Sequence, residues 1–303
     1  LALQIFKPGE IVEGYRVMSE LGRGAASVIY LVQDTRTKQV WALKHVDKGN
    51  EKDNRFLEQT ENEYAIATKL DHPNIRKVDR FWKKRAGLLG APTECFLAME
   101  LVDGLPVDRN PPKTFEQAAR VFEQTARAMA YMHAKGFVHA DMKPNNIIVD
   151  ADMNAKVIDL GQGCPINTVK KRIQGTPDYI APEQVHRRPI TEKTDIYNLG
   201  ATMYWALTRH FIPTALAKGD SLLGTLDDAL MEKPKPPTFY NPRVPELFEK
   251  LVMDCVQIDP AMRPPTMNTV ADRLNLVQAK LAAEGELRKS GAFRQVQQQH
   301  RAG

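Results

Sequence analysis

The sequence predicts an α+β protein in two lobes, a small antiparallel sheet carrying one main helix followed by a larger, mostly helical half. Three observations carry this prediction. Residues 14–46 alternate with the period of strands around a Gly-rich turn. Thr114–Lys135 has the helical period, with Phe115, Ala119, Phe122, Ala126, Met129 and Met132 on one face and Gly136 as its stop. Between these regions, Val102-Asp103-Gly104 marks the change in composition and reads as a hinge.

Each element follows from its local pattern. Tyr15–Met18, Val28–Val32 and Val40–Val46 are strands. Residues 54–70 turn to a helical period through Phe56, Tyr64, Ala67 and Leu70. Asp71-His72-Pro73 ends that helix, because the residue before a proline avoids the α region. Ile75–Trp82 and Cys95–Leu101 are two more strands, joined by an exposed hairpin loop over Lys83–Glu94. Beyond the long helix, further helices are expected near 194–208, 221–232, 245–256 and 266–283, separated by Pro-rich loops. The lobes are therefore residues 1–102 and 103–283. Residues 284–303, rich in Gln, Arg, Ala and Gly, form a tail that is either a frayed helix or disordered.

Composition excludes several classes. Apolar content of 43% and charged content of 26% are those of an ordinary globular chain. The apolar runs fall far short of the ~18 residues of a membrane helix, and residues 1–5 are too short to be a signal-peptide core. The net charge of +5 is modest. The basic clusters Lys83-Lys84-Arg85, Lys170-Lys171-Arg172 and Arg187-Arg188 lack interleaved aromatics, so no nucleic-acid partner is expected. Cys95, Cys164 and Cys255 are odd in number and scattered, which suggests free thiols in a reducing compartment.

The chemistry concentrates in His139-Ala140-Asp141-Met142-Lys143-Pro144-Asn145-Asn146 and in Asp159-Leu160-Gly161. Apolar flanks, Ile147–Val149 and Val157-Ile158, place both motifs at the ends of short strands. Together they supply a base for a hydroxyl (Asp141), a cation for a phosphate (Lys143) and two hard oxygen ligands for Mg²⁺ (Asn146 and Asp159). Leu21-Gly22-Arg23-Gly24-Ala25-Ala26-Ser27-Val28-Ile29 lies between two strands, where backbone N–H groups of a Gly-rich turn can meet phosphates. Lys44, on the next strand, is a second phosphate ligand and needs a carboxylate to fix it; Glu58, Glu61 and Glu63 are the candidates.

These motifs resemble the catalytic, metal-binding and Gly-rich loops of protein kinases. The resemblance runs from about residue 15 to about 280 and is strongest to compact bacterial-type Ser/Thr kinases. It implies a bilobal protein-kinase fold and transfer of the γ-phosphoryl of ATP to Ser or Thr hydroxyls of proteins with Mg²⁺, Mn²⁺ being an alternative. It selects Glu63 as the partner of Lys44. It gives Met99 as gatekeeper, Glu100 and Val102 as backbone partners of adenine, and Ile29, Ala42 and Ile148 as the walls around the ring. Gly175-Thr176-Pro177-Asp178-Tyr179-Ile180-Ala181-Pro182-Glu183 resembles the end of an activation segment, with Thr176 beside Asp141 and Lys143. Glu183 then pairs with Arg263, and Asp195 braces the catalytic loop. The location implied is cytoplasmic, as a free domain or as the cytosolic part of a membrane-anchored protein.

Three departures from the family pattern carry expectations. Ser27 replaces the third glycine, which implies a stiffer lid with nucleotide binding kept. Ala140 replaces the arginine that receives an activation-segment phosphate, and Arg172 stands where the phosphorylated Thr often sits, so phosphorylation there is not an obligatory switch; Thr168 remains a site of self-modification. Leu160 replaces an aromatic in a stack with Ala67, Val78 and His139. Ala67 is small for its place, which suggests a looser helix and an inactive resting conformation, the competing explanation being that neighbouring side chains fill the gap. The rival readings are a pseudokinase scaffold and a small-molecule phosphotransferase of related fold.

Overall fold

The computed structural model describes residues 4–24, 26–48, 53–85, 87, 90–213 and 232–301. The first lobe is a curled antiparallel sheet of β1 (Ile11–Val12), β2 (Tyr15–Arg23), β3 (Ser27–Asp34), β4 (Val40–Asp47), β5 (Val78–Arg85) and β6 (Pro92–Met99), ordered β1-β2-β3-β4-β6-β5. One helix, α1 (Asn54–Ala67), joins β4 to β5. Alternation directs Tyr15, Val17, Val28, Tyr30, Val32, Leu43, Phe96 and Ala98 into one apolar layer. Buried Ile66 and Ala67 of α1 belong instead to the core of the second lobe, so this helix bridges the two halves.

After the hinge, β7 (Leu105–Pro106) adds to a small sheet with β9 (Ile147–Val149) and β10 (Ala155–Val157). Gly104 has a φ of +127°, and a Cβ there would stand 2.3 Å from the carbonyl oxygen of Val149. Only glycine fits this approach. Then come α2 (Phe115–Ala134), β8 (Phe137–Val138), β11 (Cys164–Pro165), α3 (Pro182–Val185), α4 (Glu192–Thr208), α5 (Pro237–Tyr240), α6 (Glu246–Cys255) and α7 (Met267–Arg301). Their core packs Phe122, Met129 and Met132 of α2 with Ile196, Leu199 and Met203 of α4, Phe248 and Leu251 of α6 and Leu274 of α7. Thr114 caps α2 by accepting from the Gln117 amide at 3.2 Å, and Gly136, at φ +84°, ends it as expected.

Boundaries differ where long-range bonds intervene. Helix α1 stops at Ala67 because the following amides, of Lys69 and Leu70, tighten onto the i−3 carbonyls of Ile66 and Ala67. The strand expected from Ile75 begins at Val78, since the Arg76 amide donates to Val157 O in the other lobe at 2.9 Å. The expected loop over Lys83–Glu94 gives three residues at each end to the strands it joins. The ammoniums of Lys83 and Lys84 lie over the rings of Phe81 and Phe96, so edge-strand charges concealed the alternation. The helix expected near 221–232 falls, but for its last residue, outside the described residues. Helix α7 continues past residue 283 to Arg301. No helix among the described residues is long and apolar enough to cross a membrane.

Candidate active site

The catalytic loop is held from below by one buried carboxylate. Asp195, on α4, accepts the His139 amide and the His133 ring on Oδ2 and the Ala140 amide on Oδ1, each at 2.8 Å. Burial alone would raise its carboxyl, but His133, His139 and these N–H groups outweigh it and hold the group below the usual carboxylate range. Ala140 sits at φ +61°, a conformation that costs an L-residue roughly 1–2 kcal/mol and is kept by these bonds. His139 Nε2 donates to Ile158 O at 3.2 Å, while its Nδ1 accepts the Asp141 amide at 3.3 Å. One imidazole thereby ties the catalytic loop to the strand leading into Asp159.

Asp141, Lys143 and Thr176 close a triangle. Lys143 Nζ reaches Asp141 Oδ2 at 2.9 Å and Thr176 Oγ1 at 2.7 Å, and the Thr176 hydroxyl donates to Asp141 Oδ1 at 2.8 Å. Asn146 spends its amide N–H on the Asp141 carbonyl at 2.8 Å, which turns its Oδ1 away as a free acceptor. Asp159, at φ +62°, is half-buried. Burial alone would raise its carboxyl, but Lys44, His139, Arg76 and the Gly161 amide hold it low and ionised.

In the upper lobe Lys44 meets Glu63 Oε2 at 2.8 Å. Burial would lower this ammonium, yet Glu63 and Asp159 raise it above its usual value, so it stays charged. Glu63 is the partner among the three candidates, since Glu61 binds Lys83 and Glu58 is exposed. The closed pair departs from the expected looser helix position. Arg76 on the other Glu63 oxygen and Asn62, which donates to the carbonyls of Gly161 (3.2 Å) and Gly163 (2.8 Å), replace the grip that Ala67 lacks. Ala67 and Leu160 do share one apolar cluster, with Val78 packed on it.

The purine-side residues gather as well. Ala42 faces Met99 across β4 and β6, and both lie in one cluster against which Ile29 packs. Ile148, on β9, is half-buried below. The Glu100 amide is bound to Lys77 O, so this residue has its carbonyl to offer, while its carboxylate is engaged by Lys156. Val102 follows in the hinge segment. Leu21 is 48% exposed, and Gly22 has open space where a Cβ would stand. The Gly24 amide donates to Ser27 O at 2.8 Å, closing the turn.

The activation segment is fastened by two residues, one foreseen and one not. Arg263 binds Glu183 through both carboxylate oxygens, at 2.7 and 3.0 Å, and its remaining N–H groups reach the carbonyls of Gln257, Lys193 and Ile258. All five guanidinium donors are used. Gln184 joins the Ala140 and Gln174 carbonyls to the Ala181 amide and Asn198. Below Ala140, Val138, Cys164 and Ile190 form an apolar cluster rather than a basic one.

Two lobes that bring an ammonium, an ionised carboxylate, an amide oxygen and an Asp–Lys pair to a Gly-rich turn define a nucleotide-dependent phosphotransferase. The chain belongs to the protein kinase family, matching the protein kinase domain over residues 15–274. It is similar to the serine/threonine-protein kinase PrkC of Bacillus subtilis, at 28% identity over 93% of this chain and 45% of that protein. It is also similar to pkn3 of Myxococcus xanthus (28%, over 87% of this chain and 50% of that protein) and to PknA of Mycobacterium tuberculosis (29%, over 88% and 61%). The chain spans about half the length of the curated relatives it matches.

Proposed function

We propose that this domain is a protein kinase that transfers the γ-phosphoryl group of ATP to Ser or Thr hydroxyls of proteins, in a cytoplasmic, reducing setting in keeping with its three buried free thiols. The observation that carries the proposal is the triangle of Asp141, Lys143 and Thr176. Its carboxylate is positioned to orient an acceptor hydroxyl and receive its proton, and its ammonium to neutralise the phosphoryl oxygens. The Thr176 hydroxyl already rests where an aliphatic hydroxyl would bind.

Lys44, fixed by Glu63, serves the inner phosphates of the nucleotide. Leu21, Gly22, Gly24 and Ser27 cover them. Ile29, Ala42, Met99 and Ile148 enclose the purine, and Glu100 and Val102 meet its edge with backbone groups. Among the described residues no three or more His, Cys, Asp or Glu cluster to hold a metal ion, and Mg²⁺ usually binds through one or two carboxylates plus substrate phosphates. Asn146 Oδ1 and Asp159 suit Mg²⁺ in that role, hard oxygen donors of which one is an ionised carboxylate. The ion would supply charge neutralisation at the phosphates.

The apolar cluster under Ala140 also supports activity without phosphate on the activation segment. The Thr168 hydroxyl donates to Pro165 O at 2.6 Å and pins the segment locally. The deciding experiment is mass spectrometry after incubating dephosphorylated protein with Mg-ATP, a Ser/Thr/Tyr peptide library, sugars and aminoglycosides. Ser/Thr peptide phosphorylation that falls by about 10²–10⁴ in Asp141→Asn is expected. Equal background in both proteins would favour a scaffold, and modified sugars would favour a small-molecule enzyme.

A further inference from the structure

Glu63 carries two cations, one on each oxygen. Lys44 Nζ lies 2.8 Å from Oε2 and Arg76 Nη2 lies 2.9 Å from Oε1. Both residues of the second pair are well buried, the Arg76 side chain being 10% exposed and that of Glu63 2%. The two cations stand on different supports. Lys44 belongs to β4 of the upper sheet. Arg76 lies outside that sheet, with its amide on Val157 O at 2.9 Å and the Val157 amide returning to Asn74 O at 2.8 Å. Val157 lies two residues before Asp159. A continuous path of bonds thus runs from α1 through Glu63 and Arg76 to the strand that delivers the metal-binding carboxylate.

We propose that Arg76 is a positioning residue that holds α1 against the second lobe independently of Lys44. An ammonium that alone held Glu63 would have to be shared or lost when it turned to a phosphate. A guanidinium on the opposite oxygen is always charged and presents its donors in a fixed fork, and although its charge also reaches Asp159, its hydrogen bond goes to Glu63. Lys44 is then free to serve the nucleotide while the helix stays in place. Asn62, one residue before Glu63, adds a second strap to the Gly161 and Gly163 carbonyls but carries no charge. The benefit to phosphoryl transfer rests on the function proposed above; the hold on α1 does not.

The test is a distance measurement that needs no turnover. Spin labels at Glu58→Cys on α1 and Glu116→Cys on α2, both exposed, leave the three buried native thiols unlabelled. Pulsed electron resonance on nucleotide-free protein then reads the position of α1. In the labelled parent and in Lys44→Met a single narrow distance is expected, although Lys44→Met abolishes turnover. In Arg76→Leu the distribution should broaden with Lys44 still present, turnover should fall by about tenfold as the competent fraction shrinks, and KM for ATP should hardly change. Arg76→Lys should restore most of both, and Lys77→Ala, whose ammonium pairs with exposed Asp71, should alter neither.

Release of α1 in Lys44→Met would overturn the proposal by itself, even if Arg76→Leu failed to fold. An unchanged distance in a folded Arg76→Leu protein would do the same. A parent with the expected distances but no phosphorylation of any acceptor would refute the proposed function and leave the role of Arg76 standing.

Discussion

Asp195 in the second lobe and Glu63 in the first are both buried carboxylates beside the site, with each oxygen bonded, but their partners differ in kind. Asp195 accepts two backbone amides and a buried ring. Glu63 is met only by side chains, an ammonium and a guanidinium. Backbone N–H groups on a short loop have nowhere else to go, so Asp195 fixes the shape of the catalytic loop once the chain has folded. Lys44 can exchange Glu63 for another anion while Arg76 keeps the other oxygen, so the bonds of Glu63 permit a motion of the lysine that those of Asp195 forbid to the catalytic loop. The half of the site that carries Asp141 is built in; in the half that carries Lys44, the lysine is adjustable.

Five measurements bear on this contrast, beginning with the largest effect. Arg263→Ala leaves Glu183 charged and unpaired in the core, and should cost about 3–5 kcal/mol in urea denaturation. A loss under 1 kcal/mol would mean that the second lobe is not held by its buried polar bonds. Asp195→Ala frees the His139 and Ala140 amides and should reduce turnover by about 10²-fold through a displaced Asp141. Asp195 also has a pH signature. Its carboxyl is depressed in the folded state, so its contribution to stability is present above the unfolded value of 3.8 and is lost as pH falls through the lower folded value. Asp195→Asn should therefore weaken the dependence of stability on pH below 3.8; an unaltered acid limb would sever the link.

The next effect concerns packing. A Cβ at Gly200 would stand 2.6 Å from Cys255 Cβ, between α4 and α6. Gly200→Ala should destabilise by about 1–3 kcal/mol, with KM for ATP unchanged. The smallest effect belongs to the surface. Arg127 and Asp272 join α2 to α7 at 2.7 Å in exposed positions, and Asp272→Ala should cost no more than about 1 kcal/mol in the same denaturation experiment.

The catalytic loop was legible because Asp141, Lys143 and Asn146 are adjacent in the chain and the strands beside them are apolar. The two-lobed fold was legible from the change of period at the hinge. Glu63 could be distinguished from Glu58 and Glu61 only through the spacing of a known family. Asn62 and Gln184 gave no such signal, because each acts through a partner distant in sequence. Gln184 reaches back 44 positions to Ala140, and Asn62 reaches forward 101 to Gly163. Arg76 did leave one trace, a basic residue directly after Ile75 in a stretch assigned to strand. The same contact to Val157 that delays β5 also gives Arg76 its support, so the misplaced strand boundary and the overlooked side chain share one cause.

The absence of a Cβ at Gly104 brings the crossing strap into contact with the backbone of β9, and Leu105 and Pro106 then pair with Val149 and Ile148. The strap is thereby welded to the strand of Ile148, the residue proposed to floor the purine site. Bending of the strap itself is left to the few peptide units between Met99 and Gly104, while the Arg76–Val157 bond ties the lobes beside it.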